Sequence, residues 1–217
     1  MNICWKMSFI CYNGGMPRIK NEIEHEIIIE KSRFITYLNR AECEEDAKNY
    51  IQMIKKMHPD ATHHCSAFIY GSNSEYQRSS DDGEPSGTAG VPMLEVLRKN
   101  NMQDIVAVVV RYFGGIKLGA GGLIRAYSKS VSNTLNEATL VEVRTMKEYM
   151  CEFNYDLIGQ LDYYFTKNNL VVLDKAYDEK VTYTYITEND ITKDLMEISK
   201  GKISNEYLED LEIEVDI

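Results

Sequence analysis

The residues 111–127, RYFGGIKLGAGGLIRAY, combine five glycines with three basic side chains, and no acidic residue lies between Asp104 and Glu137. A strand, a glycine-rich turn and a helix in this order can present backbone N–H groups to an anion. Glycines also allow a ligand to approach the backbone closely. The candidate anion-binding residues are Arg111, Gly114, Gly115, Lys117, Gly119, Gly121, Gly122, Arg125 and Lys129.

Two common nucleotide-binding motifs are absent from this segment. GGIKLGA lacks the Lys-Ser/Thr pair of a P-loop, and GAGGLI has isoleucine where a dinucleotide fingerprint has its third glycine. The four bases could still neutralise several phosphates, and binding of that kind weakens steeply with salt. The alternative is that the glycines only allow the helix to pack against the strand, while the bases face solvent.

A second candidate loop covers residues 78–90, RSSDDGEPSGTAG. Its acids could hold Mg²⁺, with a hydroxyl near a phosphate, and this would make a kinase-like site if the loop reached the 111–122 turn. The favoured alternative is that a hydroxyl caps the following helix and the acids stabilise its N-terminus. The residues concerned are Asp81, Asp82, Glu84, Ser86 and Thr88.

The histidines of HPDATHHC, residues 58–65, do not predict a metal site, because zinc sites prefer two spaced ligand pairs and no second pair exists. One of these histidines could form a buried hydrogen bond or reach the basic segment. No nucleophile with an adjacent base is recognisable from spacing. We therefore predict no metal, no cofactor and no catalytic residue.

Hydrophobic periodicity predicts alternating strands and helices in the first 141 residues. EIEHEIIIE and RFITYL predict a hairpin, CSAFIYG a strand, and DIVAVVV a strand buried on both faces. CEEDAKNYIQMIKKM, MLEVLRKN and LIRAYSKSVSNTLNEA predict helices. Residues 1–15 are expected to be a peripheral extension, so the first domain is assigned to 16–141.

Residues 142–217 predict a second domain with the element order βαββαβ. They contain 18 acidic and 8 basic side chains and so account for the whole net charge of −10. Val181, Tyr183 and Tyr185 share one strand face, where tyrosines could stack RNA bases or fill the core. We favour the core, because this acidic domain would repel a phosphate backbone, and we expect it to contact a protein partner.

Composition favours a cytoplasmic protein. The five cysteines are scattered without a C-x-x-C pair, which is typical of reduced thiols. No apolar run approaches the roughly 18 residues of a membrane span, so no membrane partner is expected.

Three stretches, HPDATHHC, SSDDGEPSGTAGVPMLEVL and VAVVVRYFGGIKLGAGGLIRAYSKSV, closely resemble the YigZ/IMPACT family. The resemblance covers about residues 20–140, and the βαββαβ tail resembles the extra domain of the bacterial YigZ branch. It implies an α+β fold in which a ribosomal-protein-S5-domain-2-like two-layer sandwich precedes a ferredoxin-like domain.

The same resemblance implies a role in translation. This pair of domains is similar to the last two domains of translocating elongation factors, and eukaryotic IMPACT relatives regulate translation. We therefore expect a non-enzymatic regulator that binds RNA or the ribosome through its basic glycine-rich segment. The alternatives are a Mg²⁺-dependent enzyme acting on a small phosphorylated ligand, or a regulator that acts through protein contacts only.

Overall fold

The structure is a computed structural model that describes residues 15–217, so the predicted extension 1–15 lies almost wholly outside the described residues. The described chain forms two compact units, residues 15–142 with Val215–Ile217, and Val143–Glu214. The last three residues group with the first unit because the Ile217 N–H donates to the Leu140 carbonyl and Asp216 pairs with Lys20. None of the described helices is long and apolar enough to span a membrane.

The first unit is built around an antiparallel sheet with the strand order β2-β3-β6-β4-β5. Its elements are β1 (Arg18–Ile19), β2 (Ile23–Ile29), β3 (Ser32–Arg40), α1 (Glu44–Met57), β4 (His63–Tyr70), β5 (Tyr76–Ser80), α2 (Gly90–Lys99), β6 (Ile105–Tyr112), α3 (Gly119–Glu137) and the start of β7 (Leu140–Phe153). The predicted hairpin is therefore β2–β3.

The central strand β6 is buried on both faces, as its uninterrupted apolar sequence predicts. Ile105, Ala107 and Val109 pack in the core that α2 and α3 contribute to. Val106 and Val110 lie in a separate core with α1. Because helices cover both faces of the sheet, the first unit has three layers, and the predicted two-layer sandwich is wrong in this respect.

Two elements of the first unit differ from the sequence prediction. Strand β5 was missed because YQRSS is polar and largely exposed, as an edge strand can be, so it carries no apolar alternation. Helix α3 was predicted from Leu123 but begins at Gly119, so its first turn is the sequence GAGG. Glycine disfavours helix interiors, yet the packing of the later, apolar part of α3 extends the helix over these residues.

The second unit has the observed order β7, a 3₁₀ turn (Tyr155–Leu157), α4 (Ile158–Lys167), β8 (Val171–Tyr177), β9 (Val181–Thr187), α5 (Thr192–Ser199) and β10 (Ile203–Asp216). Its strands pair in the order β10-β7-β9-β8. Val181, Tyr183 and Tyr185 are fully buried, which confirms that this strand face fills the core. The described chain is thus a mixed α/β protein with two sheets and five helices.

Candidate anion-binding site

The two candidate loops meet at one cavity in the first unit. This cavity has a volume of about 460 Å³, and its lining includes His63, Glu84, Arg111, Lys117 and Gly119. Glu84 comes from the 78–90 loop, and the last three come from the 111–122 segment. The sequence left open whether these loops touch, and the structure brings them together in a single composite site.

A buried ion pair lies at the side of this cavity. Glu84 Oε1 accepts a hydrogen bond from Arg111 Nη1 at 2.5 Å, and the two side chains are only 3% and 6% exposed. The Tyr127 hydroxyl donates to the same oxygen at 2.8 Å. Charge-assisted bonds of this kind are the strong ones in a water-poor interior. Arg111, which the sequence predicted as a phosphate contact, is therefore buried and held by Glu84 within the fold.

The pairing of β4 with β6 places His63 directly opposite Arg111. The His63 Nδ1–H donates to the Asp82 carbonyl at 2.9 Å, since a carbonyl can only accept. This bond orients the ring so that Nε2 lies 3.9 Å from Glu84 Oε2. The sequence considered that one histidine reaches the basic segment, and His63 does so.

The N-terminus of α3 forms another wall of the cavity. The lining includes Leu118, Gly119 and Ala120, which are the residue before the helix and its first two residues. No side chain caps this end, and the first turn contains no acidic residue. The leading N–H groups of a helix lack intrahelical partners and carry the positive end of its dipole. With Lys117 beside them, they make this wall attractive to anions.

Asp81 holds the opposite loop in shape. Its carboxylate accepts hydrogen bonds from the backbone N–H groups of Gly87, Ala89 and Gly90 at 2.8, 3.0 and 2.8 Å. Burial opposes ionisation of this group, but the three donors outweigh it and keep the pKa of Asp81 below its ordinary value. Asp81 thus places a carboxylate at the N-terminus of α2, as the favoured alternative from the sequence expects. The Thr88 hydroxyl donates to the Pro85 carbonyl and does not cap the helix.

Asp82 is also engaged within the fold. Its two oxygens accept from Lys55 Nζ and from the His64 backbone N–H, each at 2.7 Å. These bonds keep the pKa of Asp82 low in spite of its burial. The three loop acids therefore have different partners: backbone N–H groups for Asp81, Lys55 and His64 for Asp82, and Arg111 for Glu84.

Within residues 15–217 no group of three or more His, Cys, Asp and Glu side chains is arranged to hold a metal ion, so the Mg²⁺ site considered from the sequence gains no support.

Sequence comparison agrees with the resemblance read from the motifs. The Impact N-terminal domain matches residues 30–135. IMPACT family member YvyE of Bacillus subtilis is 48% identical over 188 residues, which cover 85% of this chain and 87% of the relative. The chain belongs to the IMPACT family.

Two further similarities extend this result. IMPACT family member YigZ of Escherichia coli is 43% identical over 143 residues, covering 62% of this chain and 70% of that protein. A crystal structure of a hypothetical protein aligns with a TM-score of 0.59 and 31% identity, covering 91% of this chain and 99% of that one. The fold of this IMPACT family protein therefore has an experimentally solved counterpart over nearly all of its length.

Two of the predicted bases of this IMPACT family chain, Arg125 and Lys129, lie on α3, and Lys117 lies just before the helix. Arg125 and Lys129 are exposed, as is Lys117. Among the described residues none of these three forms an ion pair or a side-chain hydrogen bond. Ser86, by contrast, does not line the cavity. Arg125 and Lys129 lie one turn apart on α3 and, at about 100° per residue, face away from the cavity-lining Leu123, whereas Lys117 lines the cavity itself. We call these three bases the basic corner (Lys117, Arg125 and Lys129).

The predicted glycines have different roles. A Cβ on Gly114 would collide with the Lys31 carbonyl, so this glycine is needed for the turn to pack against the β2–β3 hairpin. Gly119 lines the cavity and has a positive φ of 68° with open space beside it. Gly115, Gly121 and Gly122 do not line the cavity. Of the five predicted glycines, only Gly119 lines the cavity.

Sequence reasoning missed three contributors to the site. Tyr127 was assigned only to the apolar stripe of its helix, but its hydroxyl reaches Glu84. The Cys65 thiol donates to the Asp81 carbonyl and lies 3.3 Å from the Tyr127 hydroxyl, and burial raises the pKa of Cys65 to about 12, which keeps it a neutral thiol. Phe113 lines the cavity and is 46% exposed. Its signal in the sequence is an aromatic residue placed just beyond a buried strand and directly before two glycines.

Proposed function

We propose that this IMPACT family protein is a non-enzymatic, translation-associated regulator that binds RNA, in the context of the ribosome, through the basic corner. The observation that carries the proposal is the contrast in charge pairing. The acids around the cavity are bound within the fold, whereas Lys117, Arg125 and Lys129 are exposed and unpaired among the described residues. Unpaired bases beside an uncapped helix N-terminus suit a phosphate backbone.

The second unit has a separate part in this proposal. The C-terminal residues from 142 onward carry the whole net charge of −10, which disfavours RNA contact. We propose that this unit faces a protein partner or limits non-specific RNA binding. Its order βαββαβ and its strand order β10-β7-β9-β8 support a ferredoxin-like domain, and the five-stranded antiparallel sheet of the first unit supports the S5-like assignment.

A Mg²⁺-dependent enzyme acting on a phosphorylated ligand is not proposed. Asp81 and Asp82 would have to give up backbone and lysine hydrogen bonds to bind a cation, and these bonds shape the loop itself. A cytoplasmic location follows from the proposed role, since that is where ribosomes work.

The experiment is cosedimentation of the purified protein with ribosomes at low and moderate salt. Three phosphate contacts predict an affinity loss of roughly 20- to 40-fold between about 50 and 200 mM salt. The double variant Lys117→Glu/Arg125→Glu is expected to lose association. The matched control Lys48→Glu/Lys56→Glu makes the same charge change at exposed positions of α1, on the other face of the sheet, and should retain it.

Each outcome decides a separate part of the proposal. Salt-sensitive association that is lost only in the α3-side variant supports the basic corner as the phosphate contact. Equal loss in both double variants would mean that overall charge, not this corner, governs association. No association of the wild-type protein at either salt would remove the ribosome from the proposal.

A further inference from the structure

The cavity beside the basic corner retains binding capacity that the fold does not use. Arg111 Nε is buried and has no hydrogen-bond partner among the described residues, although Nη1 of the same side chain is bound to Glu84. The negative charge of Glu84 is offset by Arg111 and by the Tyr127 hydroxyl. Lys117 and the leading N–H groups of α3 therefore leave an excess of positive potential in the cavity.

We propose that this cavity binds the terminal phosphate of an RNA chain and that Phe113 stacks on the adjoining base. The inference rests on the proposed RNA-binding function and names the part of the RNA that the site recognises. Arg125 and Lys129 would then contact the phosphates that follow along the chain.

The burial of Arg111 in the cavity wall favours a chain end over an internal phosphate. At about 460 Å³ the cavity lies in the size range of small-ligand pockets, roughly 300–1,000 Å³. Arg111 lies in its wall with only 6% of its side chain exposed. An internal phosphodiester has a sugar on each side and stays at the surface, whereas a terminal phosphate can enter. It also carries a charge of about −1.5 to −2 at neutral pH, which a strongly positive cavity favours.

The exposed aromatic side chain favours a nucleotide over a simple phosphate ester. Phe113 is 46% exposed although it lines the cavity, and its ring lies 5.6 Å from the Arg111 guanidinium carbon. Exposed aromatic rings stack on unpaired bases with little sequence preference. A base on Phe113 with its phosphate at the α3 N-terminus would occupy both features at once.

The test measures the affinity of the full chain for three single-stranded RNAs of one sequence and about twelve nucleotides. The first has a 5′-phosphate, the second a 3′-phosphate, and the third hydroxyls at both ends. Fluorescence anisotropy with an internal label reports the Kd values at low salt. One phosphorylated RNA is expected to bind on the order of tenfold more tightly than the hydroxyl RNA, as one strong charge-assisted contact predicts.

Three single variants test whether the preference for a terminal phosphate arises at this cavity. Lys117→Ala should bring the ratio between the preferred phosphorylated RNA and the hydroxyl RNA to within about twofold. Lys129→Ala lies outside the cavity, so it should weaken all three RNAs by a similar factor and keep the ratio. Phe113→Ala should weaken all three by about tenfold through lost stacking. Circular dichroism melting curves check that the substitutions at these exposed residues leave the fold intact.

Three outcomes would overturn the inference in distinguishable ways. Equal affinity for all three RNAs, with salt-sensitive binding retained, rejects end recognition but leaves the proposed RNA binding in place. A phosphate preference that survives Lys117→Ala rejects this cavity as its location. Absence of binding to every RNA at low salt rejects both the inference and the proposed function.

Discussion

The loop of residues 81–90 and the segment of residues 113–129 line the same cavity, but their charged side chains make opposite kinds of contact. In the loop, every acid is hydrogen-bonded within the fold: Asp81 to three backbone N–H groups, Asp82 to Lys55, and Glu84 to Arg111. In the segment, the bases have no such partners among the described residues. The acids on one side of the cavity are all hydrogen-bonded within the fold, whereas the bases on the other side are available to a ligand.

This difference separates structural charges from charges that are available for binding. A buried carboxylate without a partner costs several kcal/mol, so Glu84 must be paired whatever the protein does, and the half-buried Asp81 and Asp82 face a smaller penalty of the same kind. An exposed lysine or arginine has no comparable requirement, because water solvates it. The sequence shows both groups as charged clusters near glycines, and only their contacts distinguish a cluster that holds the fold from one that can hold an anion.

The sharpest way to break this comparison is to neutralise Glu84. Glu84→Gln keeps the size of the side chain but leaves the Arg111 charge uncompensated in the interior. Breaking a buried pair in this way costs about 3–5 kcal/mol, so we expect a loss of that size in the free energy of urea unfolding. Without the Glu84 carboxylate, Arg111 should be able to bind an anion from solution. Added phosphate should therefore restore part of the lost free energy of unfolding.

Glu95→Gln is the matched control for this prediction. Glu95 pairs with Arg98 at 2.9 Å, but both side chains are about half exposed. Surface pairs contribute about 0–1 kcal/mol, so this variant should unfold almost like the wild type. If the two variants lost equal stability, the buried pair would not have the structural role assigned to it.

A second prediction concerns Asp81 and acid. Its lowered pKa in the folded state means that it stabilises the fold above the ordinary aspartate pKa of about 3.9, and that this stabilisation is lost as the pH falls through the lower folded value. Asp81→Asn removes charge-assisted hydrogen bonds, so we expect a loss of about 1.5–3 kcal/mol in the free energy of unfolding at pH 7. The stability difference from the wild type should be full at pH 7 and narrow below about pH 4.

Urea unfolding across this pH range measures the effect. Asp60→Asn is the control, since it makes the same chemical change at an exposed position outside the loop. A difference between wild type and Asp81→Asn that stayed constant from pH 7 to pH 3 would show that charge is not what Asp81 contributes.

The smallest effect on stability is expected for the exposed bases of the basic corner. Lys117→Ala and Arg125→Ala remove exposed side chains that have no ion pair among the described residues, so each should change the free energy of unfolding by less than about 0.5 kcal/mol. RNA affinity should nevertheless fall in both variants. A loss of stability comparable to that of Asp81→Asn would mean that these bases support the fold after all.

Much of the architecture could be predicted from local sequence. The hairpin β2–β3 and the helix α1 have strong periodicity, and β6 is apolar from Ile105 to Val110, so all three elements were predicted, β6 together with its burial on both faces. Strand β5 and the first turn of α3 could not be predicted from the sequence, because YQRSS has no apolar pattern and GAGG has poor helix propensity. Strand β5 is held by its pairing with the preceding strand β4, and the first turn of α3 continues a helix whose later part packs in the core.

The candidate site shows the same division. Residue types and spacing identified the two loops, the basic side chains and the family to which the chain belongs. They could not indicate that Glu84 and Arg111, 27 positions apart, form a buried pair, or that Asp81 caps the loop that contains it.

The sequence by itself thus determined the elements with strong periodicity, the charge of each part of the chain and the chemical groups available for binding. Only the tertiary structure decided which of these groups are used up by the fold. The physical reason is that a hydrogen bond or an ion pair depends on distances of about 3 Å between atoms, and strand pairing across the sheet, such as that of His63 with Arg111, sets these distances. Local residue patterns carry no direct record of them.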